Sequence, residues 1–442
     1  MYFLSGAAFC VSIFMAANAS ATGFNHALEL AYNSNPQLYS GRESLKSVDE
    51  NASSAFSGFL PSVTGDYSRG KSYRNVAGSS NDSITENSSV ELSQPLFKGG
   101  ATYYGIKKAD SQIMSARASL VALEQEVLLS AISSYMDVIR DQEVLDLNKK
   151  NIEVLKKHLD FTKEKFSLGE VTKTDVAQAE ASLAEAVAKK IRASGDLDSS
   201  KAKYKRVVGE EPIELEVVEN PVTINSSLDE LIEMALKSNP DILALEHSKD
   251  AAKNDISIKK SRLLPEVNVS AGRSQQKGAL FASGDIRSDT VAINVSIPLY
   301  QSGSEYSDIR KAKYEMSRID YDVIDTQNRV RENVIRAYND FKVSNAVIKS
   351  NRSEIEASKV ALEGTEAEAK AGSRTTLDVL DAEQDLFEAN VNLVRSKRDE
   401  IVSSYNLLAQ VGRLNAKELG LDVKLYDPEN HYREAKHKII GF

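Results

Sequence analysis

The chain of 442 residues contains one cysteine, Cys10, and no tryptophan. If the N-terminal segment is removed on export, the mature protein has no thiol, which excludes disulfides and cysteine-held metals. Packing or assembly must then stabilise it. The five histidines are scattered, so they show no metal-ligand spacing, and no phosphate-binding glycine loop is present. We therefore expect neither a metal nor a cofactor.

Long apolar runs are missing after the N-terminus. Residues 2–16 are almost wholly apolar and are followed by small residues around Ala19 and Ala21, which is typical of a secretory signal peptide. Beyond them, no apolar run approaches the roughly 18–20 residues that a membrane-spanning helix requires. The formal net charge of -9, with basic residues spread along the chain, argues against nucleic acid as a partner.

The remaining sequence consists of two similar halves. Asn35-Pro36 returns 204 residues later at position 239, and Gly169 and Gly209 return 203 residues later. This period is too long for a solenoid unit and indicates two similar structural halves. We predict a signal peptide at residues 1–21, a first repeat at 22–208, a linker at 209–228, a second repeat at 229–411 and a C-terminal tail at 412–442.

Each half contains the pattern of a very long helix. Residues 101–166 lack proline and carry small or apolar residues at heptad spacing from Ile106 to Val127, followed by a step of four to Ala131. The second half has the same step before Val334. Such a stutter straightens a left-handed supercoil locally. The helix would measure about 100 Å at about 1.5 Å per residue.

A shorter returning helix follows each long one. Gly169 should end the long helix, and Thr172 or Thr174 should begin a helix that runs to about residue 208. This helix is rich in alanine, either because helices approach closely there or because alanine has a high helix propensity. The alanines in question are Ala177, Ala179, Ala181, Ala184, Ala186 and Ala188.

Four segments alternate between apolar and polar residues. Two lie within residues 63–96, separated by a predicted loop at 78–82, and two lie around 267–271 and 291–297. Strands of about 9–12 residues with one apolar face have the pattern of outer-membrane strands. Four strands cannot close a barrel, and open edges cannot lie in lipid. Two, three or four chains would therefore have to assemble, and the pattern leaves that number open.

Three motifs, at residues 94–97 with a twin at 297–300, at 168–172 and at 372–382, resemble the TolC-type outer-membrane efflux family. The resemblance covers about residues 24–414. It implies a mostly α-helical tandem-repeat protomer of a homotrimer, in which a 12-helix α-barrel continues into a 12-stranded transmembrane β-barrel. The linker and the C-terminal tail would form an equatorial layer.

The resemblance also implies a function. The protein would be an exit duct in the outer membrane of a Gram-negative bacterium, in contact with outer-membrane lipid, with its helical tunnel in the periplasm. A periplasmic adaptor would connect it to an inner-membrane ABC or RND pump. Type I protein secretion, multidrug efflux or both are implied, and the cargo is left open.

The same resemblance assigns roles near the helical turns. Asp378 and Asp381 lie three apart on one helix face and would form the periplasmic constriction, although acidic residues there could simply complement the helix dipole. Asp160 and Arg374 would form the closed-state latch, with Ala369 in place of the tyrosine that the family has in this network. The predicted adaptor-docking tips are Leu168, Gly169, Glu170, Val171, Thr172, Ala371, Gly372 and Ser373.

Two other classes of function fit the sequence less well. An enzyme could use Asp378, Asp381 and Glu383 as acids or bases, but no nucleophile–base arrangement accompanies them, so we predict no enzyme. A secreted structural coiled-coil protein or adhesin would explain the long heptads. It would not explain the four amphipathic strands.

Overall fold

The computed structural model describes residues 23–76, 79–218, 224–278, 285–436, 438 and 441. The predicted signal peptide lies outside the described residues. The helices are α1 (Phe24–Ser34), α2 (Pro36–Phe56), α3 (Ala101–Ser167), α4 (Lys173–Val208), α5 (Leu228–Ser238), α6 (Pro240–Ser261), α7 (Ser304–Lys370), α8 (Thr376–Val411) and α9 (Asn430–Ala435); the strands are β1 (Ser62–Val76), β2 (Ser79–Lys98), β3 (Glu266–Lys277) and β4 (Ile286–Ser296).

The chain divides into two compact units. The first contains the described residues of Met1–Ser34, Ser130–Val222 and Ser344–Val402. The second contains those of Asn35–Leu129, Thr223–Val343 and Ser403–Phe442, and it includes the whole sheet. The long helices α3 and α7 contribute residues to both units.

The two halves of the chain have matching helices. The long helices α3 and α7 each have 67 residues, and the returning helices α4 and α8 each have 36. Each pair starts 203 residues apart, at 101 and 304 and at 173 and 376. The mostly α-helical tandem-repeat protomer predicted from the sequence is therefore confirmed.

The repeated Asn-Pro pair begins a helix in each half. The Asn35 Oδ1 atom accepts a hydrogen bond of 2.9 Å from the backbone nitrogen of Gln37. The Asn239 Oδ1 atom accepts one of 3.0 Å from the backbone nitrogen of Asp241. The proline that follows each asparagine has no N–H, so nothing is left unpaired at the first helical position. This chemistry explains why a new helix begins at each Asn-Pro pair.

A glycine ends each returning helix in the left-handed conformation. The φ angles are 98° at Gly209 and 85° at Gly412. The Ser34 hydroxyl donates to the carbonyl of Val208 in the first unit, at 2.9 Å. A Cβ atom at Gly412 would lie 2.6 Å from the backbone oxygen of Ser238 in the second unit. Both φ and space therefore require glycine.

The four strands form one antiparallel sheet in the order β1-β2-β3-β4. The predicted loop at 78–82 is wrong, because residues 79–82 belong to β2 and Val76 pairs directly with Ser79. The predicted length of 9–12 residues is also too short for β1 and β2, which have 15 and 20. The strands pair through hydrogen bonds between backbone N–H and C=O groups, so polar side chains do not prevent a segment from forming a strand.

The sheet has an apolar face and a polar face. Val63, Leu92, Ala271 and Val291 lie directly opposite one another in a row across all four strands. Directly opposed residues point to the same face, so this row forms an apolar stripe. On the other face, Asn268 donates to the Ser93 hydroxyl at 3.1 Å. In the described single chain the apolar stripe is largely exposed, with Val291 79% accessible.

Many of the heptad positions in the long helices are buried, and the others are half-buried. In α3 the buried positions include Val127 and Ala131, on either side of the stutter, and in α7 Val330 and Val334. Of the alanines in α4, Ala179 and Ala186 are buried and the other four predicted positions are exposed or half-buried. Ala179 and Ala186 are seven residues apart, so close packing explains the alanines at this one heptad position. None of the described helices combines the length and hydropathy needed to cross a lipid bilayer.

We expect Gly209→Ala and Gly412→Ala each to lower the free energy of unfolding by roughly 1–2 kcal/mol, because an L-residue is strained at positive φ. Denaturant titration of the purified protein in detergent measures this. Gly195→Ala is the control, since a Cβ atom there would meet nothing within 4 Å. That change should be neutral or stabilising by about 0.5–1 kcal/mol. Equal losses for all three variants would contradict the prediction.

Candidate functional site

The turns that join each long helix to its returning helix lie in the first unit and share one backbone geometry. Gly169 and Gly372 have φ angles of 78° and 79°. In the first turn, the backbone nitrogens of Gly169 and Glu170 donate to the carbonyls of Phe166 and Lys165. The second turn repeats both bonds, which satisfy helix carbonyls that would otherwise lack donors. Turn chemistry alone therefore explains the two glycines.

The helix that follows each turn begins with a capping box. The Thr172 hydroxyl accepts from the backbone nitrogen of Asp175, and the Asp175 carboxylate accepts from the backbone nitrogen of Thr172 at 2.7 Å. Thr375 and Asp378 repeat the arrangement at 3.2 and 2.8 Å. These hydrogen bonds hold the pKa of the Asp175 and Asp378 carboxyls below their ordinary value, the bond from the threonine backbone being the main cause.

The duplicated turn serves as an internal comparison for the predicted constriction. Asp378 has an equivalent in Asp175, so helix capping is a sufficient structural reason for its presence. Asp381 has Gln178 at the equivalent position, 203 residues earlier. Asp381 is exposed, and within the described part of the chain its carboxylate has no hydrogen-bonding or ion-pair partner. Its charge is therefore not required by the turn.

The two predicted latch residues are both exposed. Within the chain, the Arg374 Nε atom donates to Glu368 Oε2 at 2.8 Å across the turn, with both side chains about half accessible. This contact raises the pKa of the guanidinium further. Glu368 was missed from the sequence, although it lies only six residues before Arg374. The pairing of Arg374 with Asp160 stays a prediction.

The predicted tip residues lie on the surface of both turns. Val171 is half-buried and the other seven are exposed, with Leu168 69% accessible. Because these residues are exposed, another molecule can contact them. The structure contains no partner, so their role in docking stays a prediction.

Glu383, which the sequence suggested only as an acid for the enzyme alternative, lies near the turns in a buried environment. Glu383 on α8 has a carboxylate oxygen, Oε2, that is buried without a partner among the described residues. Burial, and then the charge of Glu366, raise the pKa of Glu383 to about 7. The sequence reveals an acid there, but its burial depends on other helices. No group of three or more His, Cys, Asp or Glu in the described residues is arranged to hold a metal ion.

Comparison with known families identifies the class of protein. The family model described as "Outer membrane efflux protein" matches residues 27–210 and 231–413. The chain belongs to this family of channel proteins, which are not enzymes. It is an export channel of the outer membrane of a Gram-negative bacterium.

Individual relatives agree with this membership. The outer membrane efflux protein BepC of Brucella suis is 35% identical over 424 residues, which are 94% of this chain and 91% of that protein. The outer membrane protein TolC of Vibrio cholerae is 27% identical over 427 residues, 94% and 96% of the two chains. These matches give no support to a secreted coiled-coil protein or adhesin.

The fold also matches a solved channel. The CmeC outer membrane channel of Campylobacter jejuni superimposes with a TM-score of 0.78 at 16% identity. The match covers 94% of this chain and 89% of CmeC. At this identity the likeness concerns the fold of the protomer alone.

Proposed function

We propose that three copies of this protein form the exit duct of a tripartite export system. A periplasmic adaptor connects the duct to an inner-membrane ABC or RND pump, and the duct conducts cargo passively. The observation that carries the proposal is the four-stranded sheet, whose edge strands β1 and β4 are each hydrogen-bonded on one side only within the described chain. The following paragraphs give the support for each part.

The sheet needs other copies of the chain if it spans a membrane. Unpaired backbone groups on an open edge cost several kcal/mol each in lipid. Pairing β4 of one copy with β1 of the next satisfies these groups and presents the apolar stripe to lipid. Among the two, three or four copies that the strands allow, the family favours three, which gives 12 strands. The same symmetry would bring together 12 helices around a tunnel.

In this assembly, Asp378 and Asp381 become two rings of three carboxylates at the periplasmic constriction. Converging negative charge in a narrow aperture attracts cations and repels anions. Asp381 supports this role better than Asp378, because its charge is not required by the turn. Asp378 performs both tasks, capping α8 and contributing to the ring.

Arg374 and Asp160 form the latch between neighbouring helical hairpins of the closed duct. Glu368 competes with Asp160 for Arg374, because it already accepts from the same guanidinium at 2.8 Å. Exposed ion pairs contribute only about 0–1 kcal/mol each. Three such pairs make a latch that a docking adaptor can open. The tips at residues 168–172 and 371–373 are the proposed contact for that adaptor.

The proposal is compatible with two export functions, efflux and type I protein secretion. The relative BepC is named an efflux protein, which favours efflux as the function of this chain. The resemblance to TolC-type proteins is equally compatible with type I protein secretion. The pump selects the cargo in this scheme, so the duct needs no catalytic residue and no cofactor.

The proposed membrane face can be tested by recovering trimers from outer-membrane fractions. We expect the wild-type protein to have the mass of three protomers in detergent. Ile293→Lys should reduce its yield, since a cation on the lipid face costs up to about 2–4 kcal/mol. Asn294→Lys, on the opposite face of the same strand, is the control and should assemble normally. Recovery of a soluble periplasmic monomer would rule out the proposal.

The aspartate rings predict a change in ion selectivity. We expect Asp381→Asn to lower cation selectivity in a planar bilayer, measured as the reversal potential in a salt gradient, because three charges leave the constriction. Asp378→Asn should lower it too and also weaken the start of α8. Asp175→Asn is the matched control, since it removes the charge of the equivalent capping carboxylate in the first repeat. If all three variants keep wild-type selectivity, the aspartates are capping residues only.

The latch predicts a change in conductance. We expect Arg374→Ala to raise the single-channel conductance, because it weakens the closed entrance. Asp160→Asn should raise it as well if Asp160 is the partner, whereas Glu368→Gln should do so if the pair within the hairpin is decisive. Lys163→Ala is the control, as it breaks another exposed ion pair, with Glu180 at 2.9 Å. Unchanged conductance in all variants would mean that other residues close the entrance.

A further inference from the structure

A small apolar cluster joins three helices close to the turns of the first unit. Leu155 of α3, Ala186 of α4 and Leu380 of α8 are all buried in it. Leu380 lies two residues after Asp378. Because Leu380 also immediately precedes Asp381, the cluster packs beside the proposed constriction.

Two titratable side chains lie near the cluster, each about one helical turn after one of its leucines, one in α3 and one in α8. His158 follows Leu155 by three residues, and Glu383 follows Leu380 by three, so each lies on the same helix face as its leucine. The His158 Nε2 and Glu383 Oε2 atoms are both buried without a hydrogen-bonding partner among the described residues. Buried polar atoms are usually paired, so two orphans near one small cluster call for an explanation.

The charges that act on these two residues come from α3 and α7. Glu366 of α7 acts on both, and Lys165 of α3 acts on His158. Lys370 lies 3.7 Å from the Glu366 carboxylate. From α4, the residues packed in the cluster are the apolar Leu183 and Ala186. Glu383 therefore has a like charge as its main electrostatic neighbour.

Burial shifts the pKa values of the two side chains in opposite directions. Burial and the nearby Glu366 raise the pKa of Glu383 to about 7. Burial lowers the pKa of His158, although Glu366 opposes that shift. Between about pH 6.5 and 8, Glu383 changes from mostly protonated to mostly ionised.

The sign of the effect on packing follows from the raised pKa. The packed state binds the Glu383 proton more tightly than a hydrated state with the ordinary value of 4.5. Packing is therefore strongest when the carboxyl is protonated and weakens as pH rises from 4.5 through 7. Ionisation of Glu383 leaves a buried negative charge within electrostatic reach of Glu366, which is unfavourable.

We propose that Glu383 is a proton-operated brace that packs α8 against α3 and α4, which holds the proposed duct entrance closed when protonated and loosens it when ionised. This regulation rests on the proposed function. Glu383 acts through the packing of α8, and it touches no cargo. The regulating ligand is the proton, and the neighbouring charge that acts on Glu383 is that of Glu366.

Hydrogen–deuterium exchange of the purified assembly tests the brace without requiring conduction. After correction for intrinsic rates, opening of the first turns of α8 should increase up to about tenfold from pH 6 to pH 8, as expected for a carboxyl that titrates near 7 when packed and near 4.5 when hydrated. Glu383→Gln should reduce this change to less than about twofold. Glu366→Gln should move the wild-type transition to lower pH.

Asp385→Asn is the matched control, because it removes one acid from an exposed position of the same helix. It should keep the wild-type pH dependence. Conductance in planar bilayers at the same pH values is the second measurement, and it should rise with pH in the wild type and in Asp385→Asn but not in Glu383→Gln. Identical pH profiles for the wild type and Glu383→Gln would overturn the brace. A protein that never conducts would instead contradict the proposed duct, while the exchange data would still test Glu383.

Discussion

Backbone hydrogen bonding is the constraint on which the rest of this structure depends. Helices of 67 and 36 residues must end without leaving terminal N–H and C=O groups unpaired. The Asn-Pro starts, the left-handed glycines and the Thr-Asp capping boxes perform this task in both halves. The sheet meets the same requirement only in part, since β1 and β4 remain edges within the described chain. In the proposed duct, neighbouring copies complete it.

The duplication separates residues that the turn requires from residues with another role. Glycine, threonine and aspartate occupy equivalent positions of both turns. The charges around them do not repeat, because Lys165 and Val171 in the first half correspond to Glu368 and Arg374 in the second. Gln178 likewise corresponds to Asp381. The second turn thus has a charge pattern of its own on the same backbone geometry, which supports its proposed role as the entrance.

Helix bounds were predictable because their determinants are local. The long helix expected at 101–166 extends over Ala101–Ser167, and the predicted cap at Thr172 begins α4. Strand bounds were less predictable. The expected loop at 78–82 is mostly strand, because a polar residue can pair its backbone as well as an apolar one. Whether a partner strand lies opposite is a property of the tertiary structure.

The sequence by itself determined the duplication, which is read from residues 203 or 204 positions apart. It also determined where the helices end and the chemistry of both turns, because these depend on residues no more than about five positions apart. Only the tertiary structure decided the state of the Glu383 carboxylate, which is buried within electrostatic reach of Glu366. Burial and pKa depend on which helices pack together, and α3 and α8 pack together although more than 200 residues of the chain separate them.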